Sequence, residues 1–261
     1  MHNFIIYSTE ESPMYDYQAP ENLLKEKVIL VTGAGDGIGK AAALSYAQHG
    51  ATVILLGRTV AKLEAVYDLI ESHGYPKPAI IPLNLEGAAE KDYDDVAVSI
   101  ENEFGKLDGI LHNASLLGSL TTLDQYELPV WNQVLQVNVT APFILTKALT
   151  YLLRLSKAPS IIFTSSSVGR KGRAFWGAYS VSKFATEGMM EVLADELENE
   201  HDNVRVNTIN PGSTRTNMRA SAYPAENPMG NPPPEDIMPL YLYLMGADSE
   251  GQTGQKLNAQ T

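Results

Sequence analysis

The chain has 261 residues, 44% hydrophobic and 19% charged, with 19 basic against 31 acidic side chains and no cysteine. This length and composition suit a single α/β domain, and the net charge of −12 argues against nonspecific attraction to nucleic acid or anionic membrane. The lack of cysteine removes disulfides, thiolate metal sites and cysteine nucleophiles, and His2, His49, His73, His112 and His201 show no ligand spacing, so no metal is expected.

Residues 1–24, rich in Tyr, Glu, Ser and Pro, show no period and are expected to form an irregular lead-in. Phe4-Ile5-Ile6-Tyr7 is too short for the apolar core of a secretory signal and has no basic flank. No apolar run reaches the roughly 20 residues that a spanning helix needs. A cytoplasmic protein with no membrane partner is the expectation.

From residue 25 to 261 apolar runs and helical stretches alternate. Strands are expected at 28–31, 52–56, 79–83, 109–112, 160–164 and 204–209, with Pro82 marking a strand end. Helices are expected at 38–49, 60–72, 90–104, about 130–155 and 178–200, the first two ended by Gly50 and near Gly74. Strands that are apolar throughout need helices on both faces. With right-handed crossovers this gives a Rossmann-type, doubly wound parallel sheet in one dinucleotide-binding domain. The segment 215–239 breaks the rhythm with six prolines (Pro224, Pro228, Pro232, Pro233, Pro234 and Pro239) and reads equally as an active-site lid or a passive surface loop.

Between the first strand and first helix stands Thr32-Gly33-Ala34-Gly35-Asp36-Gly37-Ile38-Gly39. Gly33, Gly37 and Gly39 allow a tight turn and a close backbone approach. The helix starting near Ile38 aims its free N–H groups at a pyrophosphate. A strand–helix turn that merely needs glycine is the bland alternative, made weaker by the strand before and the helix after. After the second strand, a site selective for NAD would offer a carboxylate to the ribose. This chain has Gly57-Arg58 instead, and a guanidinium pairs with the 2′-phosphate of NADP. NADP(H) is therefore preferred over NAD(H). Asp36 is a counter-indication, and Arg58 as a solvated turn residue is the other reading.

Tyr179 and Lys183, four residues apart, share a helix face. A free phenol titrates near pH 10, too high for acid–base work at neutrality, and a nearby ammonium lowers it. Ser166, at a strand end thirteen residues earlier, can hold a substrate oxygen for Tyr179. In isolation a Tyr-x-x-x-Lys pair is more often a solvated helix face. Together with the glycine turn it points to hydride transfer on a carbonyl or alcohol.

From residue 25 onward the chain resembles the short-chain dehydrogenase/reductase family. The resemblance rests on Thr32-Gly33-x-x-x-Gly37-Ile38-Gly39, Asn113-Ala114, Asn138, Ser166, Tyr179-x-x-x-Lys183 and Asn210-Pro211-Gly212 with Thr216 beyond. Thr164 to Arg170, Ser182 to Met190 and Asp236 to Tyr241 resemble one bacterial branch of that family more narrowly. The family implies that Asn138, Ser166, Tyr179 and Lys183 form a catalytic tetrad, with Asn138 seating a water through its backbone and side chain. It implies that Pro211, Gly212, Thr214 and Thr216 border the nicotinamide, and that Asn84, Leu85 and Asn113 border the adenosine. It also implies a homodimer or homotetramer packed through the long helices at 130–155 and 178–200. Ser115 in place of a glycine, Asn84 in place of an aspartate, and a tail from Lys256 to Thr261 without Asp-Gly-Gly depart from the family pattern.

Arg170, Lys171 and Arg173 form a basic cluster between Ser166 and Tyr179. It reads as a solvated or interfacial loop, or as an attractor for an anionic substrate. The expected activity is an NADP-dependent oxidoreductase acting on a small carbonyl or alcohol with Tyr179 as general acid/base. The alternatives are a catalytically silent cofactor-binding regulator or scaffold, and a dehydratase or epimerase on the same fold.

Overall fold

The computed structural model describes residues 15–198 and 203–260. The first 14 residues of the lead-in and the end of the helix expected over 178–200 lie outside the described residues. Seven parallel strands form one sheet in the order β3-β2-β1-β4-β5-β6-β7. They are β1 (Val28–Thr32), β2 (Thr52–Gly57), β3 (Ala79–Pro82), β4 (Gly109–His112), β5 (Ser160–Thr164), β6 (Arg205–Asn210) and β7 (Lys256–Asn258). The order reverses between β1 and β4, which opens a crevice at the carboxyl ends of those strands.

Strand residues alternate between two apolar layers, as a pleated chain requires. Ile29 and Val31 of β1 join the layer that holds α1 (Gly37–Gln48), α2 (Val60–Ser72) and α8 (Met238–Met245). Val28 and Leu30 face the other layer, with α3 (Glu90–Phe104), α5 (Ala141–Leu153) and α6 (Gly177–Leu197). Both faces of the sheet are thus covered, which is why the runs in β1, β4 and β5 are apolar with little alternation.

Six of the seven strands stand where the apolar runs predict them, and Pro82 does close β3. The seventh, Lys256–Asn258, offers one apolar residue and escapes a reading based on periodicity. It pairs only with β6, and edge strands are often short and polar. The helix expected over about 130–155 is three pieces: α4 (Leu128–Leu135), a π-turn (Gln136–Thr140) and α5. Pro142 contributes to the break, because it has no N–H for the carbonyl of Asn138 four residues back.

The 215–239 segment contains α7 (Asn217–Ala222) and short 3-10 turns at 228–230 and 234–237. Arg215 N donates to Pro232 O at 2.9 Å, which ties its two ends together. Pro239 does not break structure: it lies in the first turn of α8, where a missing N–H costs nothing. Residues 15–24 are irregular but docked. Tyr15 N donates to Ala259 O at 3.1 Å, the Tyr17 hydroxyl donates to Asp248 at 2.6 Å, and Leu24 is fully buried. Among the described residues no helix is long and apolar enough to cross a membrane, and no cluster of His, Asp or Glu is placed to hold a metal.

Candidate active site

A cleft of about 630 Å³ opens at the β1–β4 switch point. Its floor is the β1–α1 turn. Gly33 and Gly37 have φ of +67° and +50°, values that a side chain resists. Gly39 lies behind them, where a Cβ would overlap the carbonyl oxygen of Gly33 and stand 2.6 Å from Asn113 Nδ2. Thr32 braces the turn from beneath: its hydroxyl accepts from Asn113 N at 2.9 Å and Ala114 N at 3.0 Å. Thr32 and Gly39 therefore shape the cradle from behind its wall, while Gly33, Asp36, Gly37, Ile38 and Asn113 line it.

Asp36 caps α1, accepting from Gly37 N at 2.8 Å. Its other oxygen takes Lys62 Nζ at 2.6 Å and Asn217 Nδ2 at 3.0 Å, so its charge is compensated and its carboxyl is held below the usual range. That pairing weakens the objection Asp36 raises to a second phosphate. Arg58 lines the same end of the cleft, exposed, with no hydrogen bond or ion pair to any described residue. Lys62, on the first turn of α2, is a second cation at this edge. It stands four residues beyond Arg58, a spacing that marks it in the sequence, and it belongs with the candidate phosphate ligands.

Asn84 and Leu85 line the wall beyond β3, and Pro211, Gly212, Thr214 and Thr216 line the opposite side after β6. Two hydroxyls on the cleft surface, Ser115 Oγ and Ser165 Oγ, are buried and have no partner. Buried polar atoms without partners are rare in folded proteins. Together with the glycine cradle and the unpaired guanidinium, they fit a long, polar, phosphate-bearing dinucleotide.

Ser166, Asn138, Tyr179 and Lys183, expected to act together, come from the exit of β5, the π-turn and α6. Ser166 stands two residues past the end of β5, in extended backbone, and starts a 3-10 turn at 167–169. Gly169 in that turn packs against α6 so closely that a Cβ would lie 2.7 Å from Lys183 Cβ. This contact brings the Ser166 hydroxyl beside Tyr179, near enough to pull the phenol's pKa down. Lys183 Nζ lies 5.5 Å from the centre of the Tyr179 ring and donates to Thr164 O at 2.8 Å.

Burial governs the acid–base character of this pair. It pushes the Tyr179 phenol up to about 12, with the Ser166 hydroxyl pulling the other way, and the Lys183 ammonium down to about 8 despite Glu187. The expected lowering of the phenol by the lysine is not seen. The reason is physical: the lysine is neutral by the pH at which the phenol ionises, and both groups are dry. Tyr179 at neutrality is a protonated hydroxyl aimed at the cleft, which is a proton donor.

Asn138 sits in the π-turn, a backbone defect common at functional sites. Its Oδ1 accepts from Leu116 N at 2.7 Å, and its Nδ2 donates to Leu116 O and Ser182 Oγ, each at 2.9 Å. The side chain is thus engaged by protein. The group left for a water is the backbone carbonyl, whose helical partner position is Pro142.

The basic cluster is not one unit. Arg170 donates to Glu187 at 3.1 Å, Asn258 at 2.7 Å and Leu257 O at 2.9 Å, clamping β7 to α6, and it does not line the cleft. Lys171 and Arg173 are exposed and also lie off the cleft, which leaves the reading of a solvated or interfacial loop. Residues that no motif marks include Trp176 and Tyr223, which line the cleft, and Gln260, which does not. Gln260 Nε2 donates to Pro211 O at 2.7 Å and Thr214 Oγ1 at 3.2 Å.

The short chain dehydrogenase family profile matches residues 27–227. The oxidoreductase YciK of Escherichia coli (strain K12) is 52% identical over 244 residues, spanning 94% of this chain and 96% of YciK. A short chain dehydrogenase structure from Pseudomonas syringae superposes with a TM-score of 0.93 at 62% identity, covering 95% of this chain and all of that one. A short chain dehydrogenase from Shigella flexneri 2a, solved in complex with NADP, superposes with a TM-score of 0.90 at 52% identity, covering 93% of this chain and 100% of that one.

Proposed function

The chain belongs to the short-chain dehydrogenase family, and from that premise we propose that it is an NADP(H)-dependent oxidoreductase of a carbonyl or alcohol, with Tyr179 as its general acid/base. The observation that carries this reading is the placement of Ser166, Tyr179 and Lys183 together on the wall of a cleft whose other end holds a glycine cradle and the unpaired Arg58. The NADP found with the Shigella relative supports the choice of cofactor.

The cradle of Gly33, Gly37 and Ile38 would take the pyrophosphate, Arg58 with Lys62 the 2′-phosphate, and Asn84, Leu85 and Asn113 the adenosine. Pro211, Gly212, Thr214 and Thr216 would border the nicotinamide, which when bound supplies or accepts the hydride. Ser166 orients the substrate oxygen by its hydroxyl. Tyr179 gives that oxygen a proton in reduction and takes one in oxidation. Lys183 supports the phenolate that reduction leaves behind, and the carbonyl of Asn138 offers a seat for a water that returns the proton from solvent. Trp176 and α7 wall off the substrate end, and segment 215–239 closes over it.

The reading is tested by incubating the protein with a panel of ketones and aldehydes and either NADPH or NADH, and with alcohols and NADP⁺. Absorbance of the reduced nicotinamide reports turnover. A carbonyl that consumes NADPH in preference to NADH supports the proposal, and silence across the panel in both directions counts against it.

A further inference from the structure

From the active-site proton donor outward runs a continuous aromatic wall. The Trp176 ring is centred 5.7 Å from that of Tyr179 and 5.9 Å from that of Tyr223, tilted 48° and 47° respectively. The turn that carries Trp176 is strained at Phe175 and tightly packed at Gly177. Phe175 has φ +72°, and Gly177 has φ +34° with the Tyr126 ring where a Cβ would go, its Cδ2 only 2.6 Å away. Strained backbone of this kind persists only when the surroundings impose it, and it clusters at ligand sites. Leu116, Leu117, Met218 and Ala222 complete the lining at this end of the cleft.

Charge is absent or already spent here. Asp36, Arg58, Lys62 and Glu86 line the far, cofactor end. Lys183 is buried and bound to Thr164 O. Arg219, the remaining cation that lines the cleft, is held by both oxygens of Glu226 at 2.6 Å, and its guanidinium lies 3.8 Å over the Tyr223 ring. An anionic substrate would lose its hydration without gaining a free counter-ion, which costs more than a fork already paired can return.

We infer that the substrate is a neutral ketone or alcohol with a flat, apolar ring body that lies against Trp176 and Tyr223, and is not a carboxylate or an acid-bearing carrier. This rests on the oxidoreductase reading and narrows it to a substrate class. Stacking and burial on two aromatic rings favour such a body, while Arg219, its charge already paired with Glu226, offers an acid no free counter-ion.

The test is calorimetric titration of the whole protein preloaded with NADP⁺, which cannot react with a ketone. The probes are β-tetralone, a flat two-ring ketone, and its carboxylate-bearing analogue. β-Tetralone is expected to bind at least about tenfold tighter than the acid, and Trp176→Ala to weaken it about tenfold, with NADP⁺ affinity unchanged. Tyr223→Ala serves as the second variant should Trp176→Ala fail to fold. Equal or tighter binding of the acid, or ring affinity indifferent to both substitutions, would overturn the inference. Binding with the expected pattern but no turnover of β-tetralone by NADPH would sink the redox reading alone. Turnover of ketones without the pattern would sink this inference alone.

Discussion

The carboxamide of Asn138 grips Leu116 by both edges of its backbone, accepting from its N–H at 2.7 Å and donating to its carbonyl at 2.9 Å. A side chain from the π-turn thereby fixes the strand exit that carries Ser115, Leu116 and Leu117 along the cleft. Asn138→Asp keeps the acceptor, loses both donated bonds, and buries a charge at a site only 3% exposed. The variant should lose about 2–4 kcal/mol of stability in urea unfolding. Asn138→Ala should lose less, because it strands no charge.

Tyr179→Phe removes the proton donor and leaves the ring in its contacts with Trp176 and Lys183. Turnover should fall by roughly 10²–10⁴, the range for a lost general acid. NADPH affinity, read by fluorescence titration, should stay within a few-fold. Retention of rate would mean that the phenol is not the acid. Ser166→Ala should show a smaller loss in kcat and the same retained cofactor binding.

Arg58 makes no hydrogen bond or ion pair with any described residue, so its removal should cost little stability. A charge-assisted bond to phosphate is worth roughly 1.5–3 kcal/mol. Arg58→Ala should therefore raise the Kd for NADPH by roughly 10- to 100-fold and leave that for NADH unchanged. Parallel loss of both affinities would assign Arg58 to the shared part of the dinucleotide.

The pH dependence of folding tests the dry environment of Lys183. Burial pushes its ammonium down to about 8 from the 10.5 of a free lysine. Below about pH 8 both folded and unfolded states hold the proton, and the fold carries the full cost of a buried charge. As pH rises from there towards 10.5, the unfolded state holds more protons and stability increases. Lys183→Met has no such slope. The stability difference between variant and parent should move by about 2 kcal/mol in favour of the parent between about pH 7 and about pH 9.5. A difference that is flat with pH would show the ammonium to be solvated.

Much of this site is written in short motifs because each answers a backbone constraint. Gly33 and Gly37 need positive φ, and Gly39 needs the absence of a Cβ. Tyr179 and Lys183 meet through helical spacing. The apolar runs of β1, β2, β4 and β5 show the sheet because both of its faces are buried. Residues outside these constraints were not legible. β7 carries one apolar side chain, and α8 begins with a proline next to a proline-rich stretch. The π-turn replaces one long helix that its apolar periodicity predicts. Trp176 and Tyr223 meet only because a strained turn and α7 converge in space, and Arg170 is drawn from a basic run into a buried clamp by Glu187. The raised phenol of Tyr179 depends on desolvation, which no spacing reports.

Gln260 offers a test of a contact with no sequence signal. Its side chain fills the space over Gly212, where a Cβ would lie 2.8 Å from Gln260 Cδ, and its amide donates to Pro211 O and Thr214 Oγ1. The residue before it, Ala259, is buried and bonds to Asn210 O through its own N–H at 2.9 Å, so the tail is pinned from β6 outward. Gln260 thus acts as a positioning residue: it holds the 211–214 turn, which borders the proposed nicotinamide seat, without lining the cleft itself. Gln260→Ala removes two hydrogen bonds worth about 1 kcal/mol each, and a loosened turn spreads that loss over several conformations. The KM for NADPH should rise roughly three- to tenfold, with a smaller fall in kcat and a melting temperature within a few degrees of the parent. Gln260→Glu keeps the volume but has no donor for the Pro211 carbonyl, so it should reproduce the defect. Gln260→Asn, with a shorter reach to the same acceptors, should recover only part of it. A loss of melting temperature that scales with the loss of KM would instead make Gln260 a general staple of the C-terminal edge.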